Sequence, residues 1–509
     1  MNIAEKLKYQ VNLLDLIEGL TTEPHSRLAN SEVMVSGIQI DSRLLQKGDL
    51  FIACFGKNHD ARNFIDKAIE IGSSAVLLES GSDWQGLEFR SGVPIIAIDN
   101  LSKKISEIAS RFYEKPSERS NVIGITGTNG KTSCSQFIAR SLLGLGYRCG
   151  VIGTLGYGLP GKLTETALTT PDAVVTQKVL SEMANNNIDN IAMEVSSVGL
   201  HQKRVSSVQF NTAIFTNLTR DHLDYHKSME EYAENKKKLF TMPDLKSAII
   251  NLDDTFAVSI INSISNDVEI FTYSVNNKNA SVYAEEINLS RTGYDAKICT
   301  PLGKGRISGK LLGYFNFSNV LAVLAFMVQF SSRHTNIHIE KICDQISELQ
   351  PVDGRMQIID DNSEITVIVD YAHTPDGLRS ALMALKNHFQ GKIWCVFGCG
   401  GNRDNGKRAM MGEVAEKYSD HLVITDDNPR NEAGDIIVHH ILSGISNPQA
   451  VSIIRDRALA ISFAITRANP QDVVLIAGKG HEGYQEVLGV KNIFSDSKQV
   501  NVALKERGG

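Results

Sequence analysis

The sequence predicts an α/β protein built from three domains. Two observations support this prediction: apolar segments of strand length alternate with longer amphipathic segments, and 509 residues exceed what one hydrophobic core usually holds. We expect a small mixed α/β N-terminal domain over residues 1–118, a central parallel-sheet domain over 119–350 and a C-terminal doubly wound α/β domain over 351–509.

The first segment contains short apolar runs that are typical of buried strands. They lie at residues 50–54, 75–78 and 94–98, and they indicate a small mixed sheet with one or two helices. The charged stretch over 113–121 predicts a linker, in which Pro116 ends the preceding helix.

The two remaining segments show the alternation that is typical of parallel sheets. In the central segment we expect strands at 121–125, 191–195, 212–217 and 247–251, an antiparallel patch within 280–312, and a helix that begins near Asn316. In the last segment we expect strands at 365–369, 392–397, 421–425, 450–454 and 472–477, with helices near 376–388, 407–418, 436–444 and 457–467. Ligands of such sheets bind at the carboxyl ends of the strands, so polar residues there are the candidates for function.

Composition and charge exclude several classes of function. A net charge of −6 argues against nucleic acid as a partner, and seven cysteines without a paired Cys-x-x-Cys spacing predict reduced thiols. Residues 1–20 mix charges into apolar positions, which predicts an amphipathic helix and not a secretory signal. No apolar run approaches the roughly 18 residues that span a bilayer. We therefore expect a cytoplasmic protein without a membrane span.

The most specific motif is the glycine-rich turn over residues 127–130, which lies between a predicted strand and a predicted helix. Backbone N–H groups at such a helix N-terminus bind phosphate, Lys131 reaches the terminal phosphates, and Thr132 offers a hydroxyl to Mg²⁺. The general pattern has a glycine where this chain has Ile125, which points to a subfamily of nucleotide-binding proteins. The alternative is a glycine-rich turn with a chance lysine, but strand, turn and helix all favour a P-loop ATPase domain.

Three further polar clusters follow predicted elements of the central segment. Glu194 ends a strand beside the phosphate loop and can take Mg²⁺ together with Thr132, although a solvent-facing acid is the alternative. The next cluster contains Asp221, His222, Asp224 and His226. Its spacing fits a metal or phosphate site and a hydrogen-bonded loop equally well. Residues 236–238 are three lysines, and such a run is usually a solvated helix face.

Four strand ends of the last segment carry the remaining candidates. Asp370 is placed as a second acid near the phosphates, and residues 398–408 form a second glycine-rich, basic turn. Residues 427–430 and 478–482 complete the set. The mixture of Arg, Asp, Asn and Glu suits a zwitterionic amino acid, because arginine pairs with carboxylate and acids pair with ammonium.

At these positions the chain resembles the Mur ligase family. The matching motifs span all three segments in the family's order: residues 127–132, 194–197, 216–226, 313–319, 370–376, 427–430 and 478–482. The chain is most similar to the members that add meso-2,6-diaminopimelate to UDP-N-acetylmuramoyl-L-alanyl-D-glutamate. The resemblance implies an ATP-dependent amide ligase that acts through an acyl phosphate in cytoplasmic peptidoglycan precursor synthesis.

The resemblance also implies how the nucleotide is bound and activated. ATP would be bound by Gly127, Thr128, Asn129, Gly130, Lys131, Thr132, Ser133, Asn316, Arg355 and His373. Catalytic roles would fall on Lys131, Glu194, His222, Lys236 and Asp370, and Mg²⁺ would be held by Thr132, Glu194, His222 and Lys236. Lys236 matches a lysine that the family carries as a CO₂-derived carbamate. A carbamate is an anion that can lie beside Mg²⁺, where an ammonium would be repelled.

The other substrates would be bound by the first and last segments. Ile40 and Ser42 would contact the uridine part of the UDP-sugar, and the rest of that substrate would be held by Thr169, Thr170, Ser196, Gln202 and Arg204. Diaminopimelate would be bound by Arg403, Asp427, Asn428, Pro429, Arg430, Gly478 and Glu482. It carries a distal carboxylate that lysine lacks, and Arg430 with Arg403 would clamp it. Many members have histidine where this chain has Val198, so that position receives no ligand role.

Two rival functions are considered beside the ligase. Folylpolyglutamate synthases share the fold and the loop, but they follow the lysine with Gly-Ser where this chain has Thr132 and Ser133. A nucleotide-dependent switch would have no use for Arg403, Arg430 and Glu482 in the last domain. For a ligase we expect small-molecule partners only, and a monomer.

Overall fold

The computed structural model describes residues 9–21, 32–56, 60–81, 84–333, 337–360 and 364–508. The chain forms two compact units. One comprises Met1–Gly124, Arg148–Asn211 and Met242–Leu245, and the other comprises Ile125–Tyr147, Thr212–Thr241 and Lys246–Gly509. Of the helix predicted over residues 1–20, the first eight residues lie outside the described ranges, and Leu13–Ile17 is helical.

Elements up to residue 211 alternate as the sequence predicts. The strands are β1 (Val11–Asn12), β2 (Met34–Val35), β3 (Gly37–Gln39), β4 (Asp49–Ala53), β5 (Ala75–Glu79), β6 (Leu87–Arg90), β7 (Val93–Ile98), β8 (Asn121–Thr126), β9 (Cys149–Gly153), β10 (Gly156–Leu159), β11 (Lys162–Thr164) and β12 (Asn190–Glu194). The helices are α1 (Leu13–Ile17), α2 (Ile65–Ile71), α3 (Ile105–Phe112), α4 (Lys131–Gly144), α5 (Ala173–Asn185) and α6 (Ser197–His201).

The remaining elements continue the alternation to the C-terminus. The strands are β13 (Thr212–Phe215), β14 (Ser247–Asn251), β15 (Glu269–Ser274), β16 (Val282–Ser290), β17 (Gly293–Thr300), β18 (Gly303–Gly309), β19 (Gln357–Asp360), β20 (Thr366–Asp370), β21 (Ile393–Phe397), β22 (His421–Ile424), β23 (Ser452–Ile453), β24 (Val473–Ala477), β25 (Tyr484–Val487) and β26 (Val490–Ile493). The helices are α7 (Met229–Lys237), α8 (Ala257–Ile261), α9 (Tyr314–Ser331), α10 (Ile339–Ser347), α11 (Pro375–His388), α12 (Gly406–Tyr418), α13 (Gly434–Leu442), α14 (Arg457–Arg467) and α15 (Asp496–Gly508).

The first unit contains a five-stranded sheet in the order β3-β4-β5-β7-β6. All neighbours are parallel except β6 and β7. Alternate residues of β4 point to opposite faces, so Ile52 packs in the core with α1 and α3, and Phe51 packs in the core with α2. The same unit holds the parallel pair β9–β12, to which β10 and β11 add antiparallel strands.

The second unit contains two sets of strands. β13, β14, β15 and β16 are parallel neighbours, and β17 and β18 continue them in antiparallel fashion, which confirms the patch predicted within 280–312. The other set is a six-stranded sheet in the order β19-β20-β24-β21-β22-β23, with β19 antiparallel. Ile368 of β20 packs with α11, α12 and α13, whereas Val367 and Val369 pack with α14 and α15. Helices thus cover both faces, and the doubly wound prediction is confirmed.

One expectation about a helix needs correction. α3 ends at Phe112 and not at Pro116, because Glu114 and Lys115 adopt left-handed backbone conformations with φ of +57° and +48°. Pro116 instead opens a short 3₁₀ helix, a position that proline favours.

In the described part of the chain, one helix, α9, is long and apolar enough to cross a bilayer by length and composition. Since 83% of its apolar window is buried inside the protein, α9 is a core helix here.

Candidate active site

The glycine-rich turn connects β8 to α4, as the sequence predicts. α4 begins at Lys131, and Gly130 precedes it with a φ of +88°, a conformation that disfavours any side chain. A Cβ atom on Gly130 would lie 2.3 Å from Oδ1 of Asn319, so the turn has no room for one. The first turn of α4, with Thr132 and Ser133, therefore presents N–H groups and the positive end of the helix dipole.

The loop after β13 braces this turn. Asn217 accepts a hydrogen bond from the Asn129 N–H through Oδ1 at 2.9 Å and one from the Thr128 N–H through its carbonyl oxygen at 2.8 Å. Thr216 Oγ1 donates to the carbonyl oxygen of Asn129 at 2.6 Å. Sequence reasoning did not single out Asn217, because its role depends on two strands that only the fold brings together.

Two lysines meet at the carbonyl oxygen of Gly127. Lys131 Nζ and Lys236 Nζ each donate to it at 2.7 Å. Lys236 is fully buried, and burial together with the nearby charge of Lys131 holds the pKa of its amine well below the ordinary value. By contrast, Lys237 forms an ion pair with Glu234, and Lys238 donates to Asn235. The sequence alone predicts that this run of three lysines is a solvated helix face. The structure shows that Lys236 is buried and that the other two are not.

Asp221 lies close to a lysine and two histidines of the second unit. Its carboxylate oxygens lie 3.4 Å from His222 Nε2, 3.7 Å from Lys407 Nζ and 3.9 Å from His373 Nε2. Burial alone would raise the pKa of Asp221, but His222, Lys407 and His373 outweigh burial and hold this pKa below its usual range. Burial lowers the pKa of His222, and it lowers the pKa of His373 to about 4, so the His373 ring is neutral at neutral pH. Neutral imidazole is the form that can bind a metal or accept a proton.

Arg355 and Asp370 link the C-terminal sheet to the phosphate loop. Arg355 stacks on the ring of Tyr371 at 4.0 Å, and its Nη2 donates to Thr132 Oγ1 at 3.3 Å. Asp370 is buried, and its two carboxylate oxygens accept the N–H groups of Met356 and Ala372. Burial raises the pKa of Asp370. The carboxylate predicted to face the phosphates therefore fixes the loop that carries Arg355.

Asn316 lies at the start of α9, where its side chain is turned inward. Its Nδ2 donates to the carbonyl oxygen of Leu312 at 2.9 Å, and the residue is buried. This bond ties the first turn of the helix to the segment that precedes it. The nucleotide-binding role of Asn316 stays a prediction.

The first unit assembles most of the residues expected around the UDP-sugar. Thr170 Oγ1 donates to the carbonyl oxygen of Glu194 and to Ser196 Oγ, and Arg204 Nη1 donates to the carbonyl oxygen of Thr170 at 2.7 Å. Arg204 is oriented in turn by Gln202 Oε1. Four residues assigned to one substrate thus form a single network. Ile40 and Ser42 lie directly after β3 in the same unit, where Ser42 is buried.

Glu194 ends β12 as a buried carboxylate. The N–H and Oγ1 of Thr154 donate to its two carboxylate oxygens at 2.9 and 3.1 Å, and Thr154 Oγ1 also lies 3.0 Å from Thr169 Oγ1. A Cβ atom on Gly153 would lie 2.0 Å from Glu194 Oε1, so the glycine makes room for the carboxylate. A solvent-facing acid, the alternative considered above, is excluded by this burial.

The loop after β22 carries the residues expected to bind the incoming amino acid. Asn428 Nδ2 donates to Glu482 Oε2 at 2.8 Å, and Lys479 Nζ donates to Asn428 Oδ1 and to Glu482 Oε2 at 3.0 Å each. These bonds fix the orientation of the Asn428 amide. Asp427 is buried with a raised pKa, chiefly because of desolvation, and a Cβ atom on Gly478 would lie 2.4 Å from its Oδ2. The two strand ends thus meet as predicted.

Both predicted arginines flank Gly400 of the second glycine-rich turn. A Cβ atom there would lie 2.8 Å from Arg430 Nη1 and 3.6 Å from Arg403 Cγ. Arg430 Nη1 donates to the carbonyl oxygen of Gly401 at 3.0 Å, and Arg403 is half-exposed with Asp224 Oδ2 at 3.9 Å. A Cβ atom on Gly401 would lie 1.9 Å from the carbonyl oxygen of Pro429, which shows how closely the two loops approach.

The sequence analysis did not identify Glu432 and Glu486, two acidic residues that form ion pairs with arginines of the last segment. Glu432 accepts two hydrogen bonds of 2.7 Å from Arg408, whose side chain is fully buried. Glu486 Oε2 lies 3.5 Å from Arg430 Nε. Nothing in the local sequence marks either acid, because each meets an arginine from a distant part of the chain.

Three protein-family models match the chain in consecutive ranges. They are the Mur ligase family catalytic domain over residues 34–113, the Mur ligase middle domain over 125–327, and the Mur ligase glutamate ligase domain over 354–480. The chain is also 43% identical over 501 residues to the UDP-N-acetylmuramoyl-L-alanyl-D-glutamate--2,6-diaminopimelate ligase of Coxiella burnetii, with 98% of this chain and 99% of the relative covered. The chain belongs to the Mur ligase family.

Other relatives agree with this assignment. A ligase of the same name from Pseudomonas aeruginosa is 42% identical over 476 residues, which covers 94% of this chain and 96% of the relative. A solved UDP-N-acetylmuramoyl-L-alanyl-D-glutamate--2,6-diaminopimelate ligase superimposes with a TM-score of 0.68 at 32% identity, and it covers 98% of this chain and 100% of that chain. The resemblance to the Mur ligase family and the predicted α/β fold class, with its three-domain architecture, are therefore confirmed. The residue bounds set for the three domains stay a prediction.

Proposed function

We propose that this Mur ligase is an ATP-dependent amide ligase that joins meso-2,6-diaminopimelate to UDP-N-acetylmuramoyl-L-alanyl-D-glutamate. The names of its relatives support this activity. The observation in this chain that carries the choice of amino acid is the loop over residues 427–430. Its Arg430 lies close to Gly400, as does the stem of the Arg403 side chain, and its Asn428 is hydrogen-bonded to Glu482. Such a set can bind a distal carboxylate and a distal ammonium together.

Lys131 and the start of α4 bind the triphosphate. The N–H groups of the first helical turn and the Lys131 amine neutralise phosphate oxygens that would otherwise repel the incoming carboxylate. Arg355, held against Tyr371 beside Thr132, adds a fixed positive charge at the same loop. Electrostatic stabilisation of this kind is usually the largest contribution to catalysis.

The residues present fit a bound magnesium ion. In the described ranges, no group of three or more His, Cys, Asp or Glu side chains is arranged to hold a metal. Mg²⁺ at nucleotide sites needs fewer protein ligands, since it keeps waters and takes phosphate oxygens. Thr132 offers a hydroxyl oxygen of the type that it prefers, and His222 is the further ligand that we propose. The metal-binding role of Glu194 stays a prediction. When bound, Mg²⁺ supplies positive charge to the phosphate oxygens.

Lys236 fits the position of a carbamylated lysine. Only a neutral amine reacts with CO₂, and burial together with the nearby charge of Lys131 lowers the pKa of Lys236 in the direction of that form. The hydrogen bond to the Gly127 carbonyl oxygen holds the nitrogen at the phosphate loop. As a carbamate, this side chain would offer oxygen ligands in place of a cation.

The proposed reaction has two steps, the formation of an acyl phosphate and its aminolysis. The D-glutamyl γ-carboxylate of the acceptor attacks the γ-phosphate of ATP, which yields an acyl phosphate and ADP. The neutral amine of diaminopimelate then attacks the acyl carbon, and the tetrahedral intermediate expels phosphate. Thr169, Thr170, Ser196, Gln202 and Arg204 bind the acceptor, and Arg204 is held for this purpose by Thr170 and Gln202. Ile40 and Ser42 contact its uridine.

The proposed activity is tested by measuring ADP release with each substrate omitted in turn. We expect ADP only when ATP, the muramoyl dipeptide and diaminopimelate are all present. Equal ADP release without the acceptor and the amine would overturn the ligase and favour a nucleotide-dependent switch. With lysine in place of diaminopimelate, kcat/KM should fall on the order of 10²–10³-fold, because Arg430 would then lack a ligand carboxylate. A cytoplasmic location and a monomeric state belong to the same proposal.

A further inference from the structure

His388, the last residue of α11, is hydrogen-bonded to two distant parts of the chain. Its Nε2 accepts the Gly313 N–H at 2.9 Å, and its Nδ1 is hydrogen-bonded to the carbonyl oxygen of Ser290 at the end of β16. An N–H group can only donate and a carbonyl oxygen can only accept, so the ring proton lies on Nδ1. His388 is buried, and burial lowers the pKa of its ring in the direction of this neutral form. The two partners thus define one tautomer of a neutral imidazole.

Gly313 caps the N-terminus of α9 and lies against α11. It has a φ of +89°, and a Cβ atom on it would lie 2.7 Å from the Cβ atom of Ala384 in α11. Its neighbours Leu312 and Phe315 pack in the same apolar cluster as α11. The start of α9 is therefore fixed by packing on α11 and by the hydrogen bond that its Gly313 N–H donates to His388.

The second turn of α9 touches the phosphate loop. Asn319 is buried there, and a Cβ atom on Gly130 would lie 2.3 Å from its Oδ1. The same oxygen lies 3.7 Å from Cys134 Sγ in α4. Because these groups are closely packed, a shift at the start of α9 would move Asn319 against the turn that precedes Lys131.

We propose that His388 is a positioning residue of the nucleotide site, which fixes the start of α9 and, through Asn319, the shape of the phosphate loop. This inference rests on the proposed function, since it requires that the loop binds a nucleotide. His388 would act through the backbone of α9 and without touching the nucleotide. Loss of its Nε2 would leave the buried Gly313 N–H without its acceptor, and the start of α9 would shift to find another.

The test compares two variants that each keep one half of the imidazole. In His388→Gln the amide reaches about as far as Nε2, so its oxygen can accept the Gly313 N–H. In His388→Asn the amide lies near the position of Nδ1, so it can donate to Ser290 but offers Gly313 no acceptor. The dissociation constant of ADP, a product of the proposed reaction, is measured by isothermal titration calorimetry. We expect binding to weaken by about ten-fold in His388→Asn and by less than about two-fold in His388→Gln.

The kinetics should show an effect on one substrate only. In His388→Asn, KM for ATP should rise by the same factor as the ADP dissociation constant, whereas KM for the acceptor and for diaminopimelate should stay unchanged. A general loss of structure would raise all three. The distinction therefore separates positioning of the nucleotide site from a purely structural role.

Two other histidines provide the controls. His439→Asn removes an exposed histidine of α13, and it should leave ADP binding unchanged. His421→Asn removes the stacking of His421 on Trp394, whose ring centroids are 4.1 Å apart. This variant should lower the stability of the C-terminal sheet and should keep the ADP affinity of the wild type.

If His388→Asn does not fold, the coupling is measured in the wild type by amide hydrogen exchange. Coupling is reciprocal, so ADP should slow exchange of the Gly313 N–H more than exchange of the Ser332 N–H at the other end of α9. Equal slowing at the two amides would overturn the proposal.

The remaining outcomes also decide the inference. Unchanged ADP affinity in His388→Asn, or equal weakening in His388→Asn and His388→Gln, would show that the hydrogen bond to Gly313 does not position the loop. If the wild type binds ADP but forms none from ATP with both other substrates present, the ligase activity is wrong, and the ADP affinities still decide the role of His388. If the wild type binds no ADP, the proposed nucleotide site is wrong, and the inference fails with it.

Discussion

Two lysines of the second unit are fully buried, and their surroundings differ. Lys236 donates to a backbone carbonyl oxygen close to Lys131, and burial and that neighbouring charge lower the pKa of its amine. Lys479 donates to the Glu482 carboxylate and to Asn428. A carboxylate partner favours the charged form of a buried lysine, whereas a second cation nearby disfavours that form. Burial alone therefore does not determine the charge state of a buried lysine.

The largest effect is expected from removing Lys236. In Lys236→Ala, amide formation should fall on the order of 10²–10³-fold, because the phosphate loop loses the side chain proposed to carry a carbamate. Acetate or formate should restore part of the rate by replacing the missing anion. Lys237→Ala, on the same helix but paired with Glu234, is the matched control and should keep nearly full activity. Full activity of Lys236→Ala without supplements would remove the assignment.

The two lysines should have opposite effects on stability. Lys479→Met leaves the largely buried Glu482 without its cation, and we expect about 2–3 kcal/mol less free energy of unfolding, after allowance for the exposed fraction of that carboxylate. Lys236→Met should be nearly neutral or stabilising, since it removes a fully desolvated amine that lies close to the charge of Lys131. Urea unfolding of both variants measures the difference. Equal destabilisation would contradict the comparison.

In the proposed amino-acid site, Arg430 should contribute more to kcat/KM than Arg403. Arg430→Ala should lower kcat/KM for diaminopimelate by about 10²-fold, because its guanidinium is held between the Gly401 carbonyl oxygen and Glu486. Arg403→Ala should cost less, since that side chain is 54% exposed and loosely paired. Steady-state kinetics with varied diaminopimelate measures both. A larger loss for Arg403→Ala would reverse the roles given to the two residues.

The smallest effect concerns His481, which lies two residues after Lys479 and whose ring packs at a tilt against the ring of Tyr371. Burial lowers the pKa of His481 from 6.5 to about 4. Between these values the unfolded chain binds a proton that the folded protein does not, so stability should fall as pH decreases from 6.5 to 4 and change little below. We expect about 1–2 kcal/mol between pH 7 and pH 5 from this residue. His481→Gln should show a correspondingly smaller decrease in urea unfolding, and an unchanged decrease would exclude His481 as a cause.

Several features of the site could be predicted because they are local. The turn before Lys131 could be found since its glycines, the preceding strand and the following helix adjoin in sequence, and the structure places them as expected. The expectation for Pro116 was wrong for a local reason too, because two residues with left-handed backbones end α3 first. Val198, where many family members carry histidine, lies in the short helix α6. Neither the sequence nor the structure gives Val198 a role in binding.

The sequence by itself determined the fold class, the family and the strand ends at which we expect ligands to bind, because hydrophobic periodicity and glycine spacing are properties of neighbouring residues. Only the tertiary structure decided which of three consecutive lysines is buried, and which acid meets each arginine. Lys236 faces the phosphate loop because α7 packs against a turn that lies far away in sequence. Glu486 meets Arg430 because a hairpin after β24 hydrogen-bonds to the loop after β22. Such contacts depend on the packing of distant segments, and no local pattern encodes them.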